Sequence, residues 1–122
     1  MSRAVGLIAG NGELPLLLAS QLRARGNRVA AIAHRGLSRE DLEGRTDSFH
    51  WVNIGELGKI IDILKEEGAK RAVFIGGVPK TYFFSQARPD ERALRVLLRL
   101  KDKKDDAILR AIAEEMEGEG IR

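Results

Sequence analysis

Gly10, Asn11 and Gly12 stand between the apolar run Ala4 to Ala9 and a helical pattern with Pro15 in its first turn. Their types and spacing suit anion binding. The first N–H groups of a helix have no intrahelical acceptor and carry partial positive charge, and glycines let a ligand approach the backbone. A second glycine turn, Gly76-Gly77-Val78-Pro79-Lys80, follows the apolar run Arg71 to Ile75 and places an ammonium just beyond the glycine pair. Lys80 can neutralise a phosphate there or simply be solvated. A plain chain reversal is the alternative reading of both glycine turns.

Asp105 and Asp106 open a later helical pattern, just after Lys103 and Lys104. Two adjacent carboxylates can hold Mg²⁺ together with substrate phosphates, but an aspartate ahead of an apolar helical stripe is also a good N-cap. Both readings stay open on spacing alone. Glu13, in the first turn after Gly12, is expected to act as a cap complementing the helix dipole.

Several chemistries are excluded. The dinucleotide fingerprint G-x-G-x-x-G fails at its third glycine, which is Pro15, and the second apolar run ends in Ala33-His34-Arg35 with no acid for a ribose hydroxyl. No Gly-Lys-Ser/Thr follows the first turn, so the Walker pattern fails as well. The chain has no cysteine and only two histidines, which rules out thiolate chemistry and disulfides and disfavours a histidine metal site. No nucleophile–base arrangement stands at telling spacing, and the domain shows no self-sufficient catalytic constellation.

The elements that must position these turns read as alternating strand and helix. Ala4 to Ala9, Arg28 to Ala33 and Arg71 to Ile75 are short continuous apolar runs, as in strands covered on both faces of a parallel sheet. Phe49 to Asn53 reads as a short strand near an edge. Leu14, Leu17, Leu18 and Leu22 recur at helical spacing before Gly26, and Leu57, Ile60, Ile61 and Leu64 do so before Gly68. Pro89-Asp90 opens a further helix, and a last one starts near Asp105. Between His34 and Ser48 a loop or short irregular helix is expected. The fold class is therefore a three-layer α/β domain with a mostly parallel sheet of about four strands. In such sheets ligands bind beyond the carboxyl ends of the strands where strand order reverses, so neighbouring first and Arg71 strands would set the two glycine turns side by side.

The 122 residues suffice for one domain, and 43% apolar and 32% charged residues describe an ordered globular chain. Net charge is +3, with acids and bases alternating from Arg88 to Glu119, so nucleic-acid binding is not indicated. No stretch approaches the roughly 20 apolar residues of a membrane helix, and no leader pattern stands at the N-terminus, which makes a cytoplasmic location the default expectation. The ending Gly118-Glu119-Gly120-Ile121-Arg122 reads as though another element were about to begin.

Gly6-Leu7-Ile8-Ala9-Gly10-Asn11-Gly12-Glu13-Leu14-Pro15, Gly55-Glu56-Leu57-Gly58-Lys59, Phe74-Ile75-Gly76-Gly77-Val78, Pro89-Asp90, Asp105-Asp106-Ala107-Ile108-Leu109-Arg110 and Glu117-Gly118-Glu119-Gly120 occur in this order. From end to end the chain resembles the N-terminal, Rossmann-like domain of the LpxI family, the UDP-2,3-diacylglucosamine pyrophosphatases of lipid A biosynthesis. The resemblance implies a two-domain hydrolase of about twice this length. Its C-terminal catalytic domain is absent from this chain. Water would attack the α-phosphorus to give UMP and lipid X (2,3-diacylglucosamine 1-phosphate), with Mg²⁺ or another divalent ion assisting.

On matching motif positions the resemblance implies substrate contacts at Gly10, Asn11, Gly12, Gly76, Gly77, Val78, Lys80 and Lys103, and metal contacts at Asp105 and Asp106. The family commonly has Arg-Pro where this chain has Lys80-Thr81, and Gly-Asp-Asp where it has Lys104-Asp105-Asp106. The isolated 122 residues are expected to hydrolyse nothing at a useful rate. A surface facing the second domain would be exposed and favour self-association into a homo-oligomer, and a lipid substrate allows peripheral contact with the inner membrane. The alternative functions are a non-catalytic nucleotide- or phosphate-binding module and an interaction domain without ligand.

Overall fold

A computed structural model describes residues 4–79, 85, 87–100 and 105–122, with the side chains of 105 and 106 left outside the description. Strand β1 (Ala4–Ala9) leads into helix α1 (Leu14–Ala24) and strand β2 (Arg28–His34). A 3₁₀ turn at Glu40–Arg45 precedes β3 (Ser48–Val52), α2 (Leu57–Glu66) and β4 (Arg71–Ile75); α3 (Glu91–Arg99) and α4 (Asp105–Gly118) complete the order.

The strands form one four-stranded sheet in the order β3-β2-β1-β4, parallel throughout. Leu7 pairs with Ala31 on one side and Val73 on the other. The chain winds outward from β1 through β2 to β3, then returns across the sheet to place β4 on the opposite side of β1. Right-handed crossovers in opposite directions send their helices to opposite faces, which yields three layers. The expected fold class, the edge position of the third strand and the adjacency of the first and Arg71 strands all hold.

Strand alternation explains the two cores. Leu7, Ala9, Val29 and Ala31 face Leu16 and Ala19 of α1 and Leu42 of the 3₁₀ turn. On the other face Ile8, Ile32 and Val52 pack with Ile60, Ile61 and Leu64 of α2, Val96 of α3 and Met116 of α4.

The α1 stripe differs from the leucine spacing. Pro15, Leu16 and Ala19 are buried, whereas Leu14 and Leu17 are 58% and 48% exposed. A helix with this many leucines offers overlapping stripes, and small Ala19 is the residue that lets the axis approach the sheet. Leu18 and Leu22 pack at the margin of that core.

The helices on the second face are tied by polar groups. Asp90 caps α3 through its own side chain, which accepts from Ala93 N–H at 2.9 Å, and its other oxygen accepts from Gly58 N–H at 2.7 Å. Arg88 N–H donates to Ile54 O and Asp90 N–H to Gly55 O. The Gly55–Gly58 and Pro89-Asp90 motifs are thus one structural joint between α2 and α3. Arg92 bridges Glu115 and Glu119, and Lys65 also reaches Glu119. Lys65 first, then Arg92, holds the Glu119 carboxyl down at about 2.

Candidate functional site: a clasp between two glycine loops

The carboxyl ends of β1 and β4 emerge side by side, and their loops bond directly. Gly10 N–H donates to Ile75 O at 2.8 Å, and Asn11 N–H donates to Gly77 O at 2.9 Å. Gly77 N–H in turn donates to Asn11 Oδ1 at 3.0 Å, closing an antiparallel bridge between Asn11 and Gly77. Glycine is required at two of these positions. A Cβ on Gly10 would lie 2.5 Å from Gly77 O. Gly76 has φ +94°, and a Cβ there would meet Asn11 O at 2.6 Å.

The structure therefore brings Gly10, Asn11, Gly12, Gly76, Gly77 and Val78 together. It also separates their roles. The amides of Gly10 and Asn11 hold the second loop, while among the described residues the N–H groups of Gly12, Glu13 and Leu14 have no acceptor. These last three form the positive end of α1. Because Asn11 Oδ1 accepts from Gly77, the assignment leaves its side-chain NH₂ directed away from that bond as a further donor.

Glu13 does not cap as expected. It occupies the N-cap position of α1, and its carbonyl accepts from Leu16 and Leu17, but its side chain makes no capping bond. Instead its carboxylate lies 3.9 Å from Arg39 Nη1 in the loop after β2. A glutamate side chain at the cap is long for the neighbouring amides, and the guanidinium draws it aside. The amides are left uncovered.

His34 has no partner at telling spacing in the sequence, and the structure supplies one. It ends β2, is buried, and its Nδ1 lies 2.8 Å from Ala9 O, directly before Gly10. Ser38 Oγ donates to the same carbonyl at 2.8 Å and accepts from His34 N–H at 2.9 Å. Burial pushes the imidazole pKa down, so the ring is neutral with its proton on Nδ1. This triangle fixes the carbonyl from which the Gly10–Gly12 turn departs. The signal present in the sequence was a histidine closing an apolar run with a serine four residues later.

Lys80 and Lys103 lie outside the described residues, and so do the side chains of Asp105 and Asp106. The backbone places Asp105 at the start of α4. Among the described residues no three His, Cys, Asp or Glu groups are gathered as a metal site. No helix of the described residues is long and apolar enough to cross a membrane. Apolar side chains border the clasp, with Leu14, Leu17 and Val78 each more than two-fifths exposed.

Fold and site together define a doubly wound α/β domain with an uncovered helix N-terminus at its topological switch point. Comparison with known proteins specifies which one. Residues 4–122 match the LpxI N-terminal domain model, and the chain belongs to that family. It is 40% identical over 122 residues to the UDP-2,3-diacylglucosamine pyrophosphatase LpxI of Caulobacter vibrioides. The alignment covers 98% of this chain and 42% of that relative, so the chain spans less than half of the relative's length.

Proposed function

We propose that this domain is the substrate-binding half of a UDP-2,3-diacylglucosamine pyrophosphatase, whose remaining half supplies the catalytic groups. The observation that carries the reading is the match along nearly the whole chain to a relative of that name. The physical reason the clasp suits the task is that a pyrophosphate needs fixed positive dipoles, which the Gly12–Leu14 amides and the Asn11 NH₂ offer. Exposed Leu14, Leu17 and Val78 beside those donors suit a ligand with a charged head and acyl chains.

Hydrolysis cleaves the bond between the pyrophosphate bridging oxygen and the α-phosphorus, giving UMP and lipid X. In this reading the domain's residues orient the pyrophosphate and neutralise part of its charge. Lys80, Lys103, Asp105 and Asp106 complete the proposed contact set. A divalent ion, Mg²⁺ in the first instance, would supply further neutralisation of the pyrophosphate. The lipid substrate brings the protein to the inner-membrane surface from the cytoplasmic side.

The test is incubation of the full-length protein with UDP-2,3-diacylglucosamine and Mg²⁺. UMP and lipid X are expected in equal amounts. Absence of UMP overturns the enzyme reading.

A further inference from the structure

The last residues of the chain are already part of the sheet. Gly120, with φ +84°, ends α4, and Ile121 is 2% exposed in the core shared by α2, α3 and α4. Arg122 N–H donates to Lys70 O at 2.9 Å, and Ala72 N–H donates to Arg122 O at 2.6 Å. That pair of bonds is one rung of a parallel ladder, with Arg122 opposite Arg71. It starts a strand on the outer side of β4, which has no other neighbour there among the described residues.

The rest of that edge is unfinished. Ala72 and Phe74 direct their backbone groups outward, since the alternate residues face β1. Among the described residues the Phe74 N–H has no acceptor. Phe74 is 41% exposed on one face, and Val73 and Ile75 are only half-buried on the other. An open parallel edge with apolar side chains on both faces is a pairing surface that soluble proteins cover.

We infer that the protein's own continuation past Arg122 fills this edge as a fifth parallel strand. Three observations select that occupant over a second copy or another protein: the ladder has begun, its direction is set, and the chain spans 42% of its relative. Ile121 faces the α2 side, so the first and third residues past Arg122 lie on that side, beside Ala72 and Phe74. The second lies on the α1 side beside Val73. All three positions call for apolar residues. About four residues at roughly 3.3 Å each carry the strand from the level of Arg71 to that of Ile75.

The strand then ends at the carboxyl edge next to Gly76 and Gly77. If the clasp binds substrate as proposed above, the following turn is a third loop of the same site. The connection to the second half of the protein therefore departs from the binding site itself.

Amide hydrogen exchange and hydrogen-bond scalar couplings in the ligand-free, full-length protein test the strand without reference to activity. The Phe74 amide is expected to be protected to within about tenfold of Val73, and to couple to the carbonyl of the second residue past Arg122. A Phe74 amide exchanging a thousandfold faster than Val73 overturns the inference, as does coupling to any other segment or to a second molecule. Loss of pyrophosphatase activity with this coupling intact would count against the functional reading and leave the strand standing.

Discussion

Asn11 and Gly77 hold each other twice: the Asn11 N–H donates to Gly77 O, and the Gly77 N–H donates to Asn11 Oδ1. The second bond uses only the oxygen of the side-chain amide. The two halves of the Asn11 side chain can therefore be separated by mutation. In Asn11→Asp the acceptor remains and the NH₂ is replaced by negative charge at the helix terminus. Stability in urea is expected to change by less than about 1 kcal/mol, while affinity for UDP falls by tenfold or more. In Asn11→Ala stability itself should drop by about 1 kcal/mol. Urea unfolding and calorimetric titration with UDP, both on the full-length protein, read these effects.

Gly10→Ala is expected to open the clasp, because the added methyl would sit 2.5 Å from Gly77 O and both loops are backbone at the contact. Overpacking of this kind costs about 1–3 kcal/mol. The measurement is the urea midpoint at unchanged slope, with Gly44→Ala as a control, since a Cβ on Gly44 meets nothing within 4 Å.

Asp90 joins two helices, so its removal should cost more than an ordinary cap. Asp90→Ala leaves both Ala93 N–H and Gly58 N–H without their acceptor and is expected to destabilise by about 2 kcal/mol, while Asp90→Asn retains one bond and about half the effect. Thermal unfolding of the two variants checks the ordering.

Acid should unfold the protein partly through Glu67. His50 foremost, with the Arg28 guanidinium contributing less, holds its carboxyl down at about 2 from the usual 4.5. A depressed carboxylate contributes stability above its unfolded pKa, and the contribution is lost as pH falls from about 4.5 through about 2. Glu67→Gln should therefore lower stability at pH 7 by roughly 1–3 kcal/mol and show a flatter loss between pH 5 and pH 2. Urea midpoints across that range measure both slopes.

Much of this architecture was legible in the residues. The apolar runs at Ala4, Arg28 and Arg71 marked buried parallel strands, and the glycine turns marked the carboxyl edge. What spacing could not convey was which leucines of α1 face inward, because Leu14, Leu16, Leu17, Leu18 and Leu22 offer overlapping stripes at helical spacing. Nor could it assign the amides. Gly10 and Asn11 look equivalent to Gly12 in sequence, yet the first two bond the second loop and only the third faces outward. The role of His34 is not visible in spacing because its partner is a backbone carbonyl twenty-five positions away, which no side-chain motif announces. Pro89 and Asp90 mark a helix start in the sequence, while their second role against Gly55 and Gly58 depends on tertiary contact.

The central claim is that the clasp is a substrate-binding wall. Titration of the ¹⁵N-labelled full-length protein with UDP, followed by amide chemical shifts, tests it directly. The account predicts the largest shifts at the Gly12, Glu13 and Leu14 amides and at the Asn11 side-chain NH₂, with smaller ones at Gly77 and Val78. Saturating UDP that leaves all of these signals in place would contradict it.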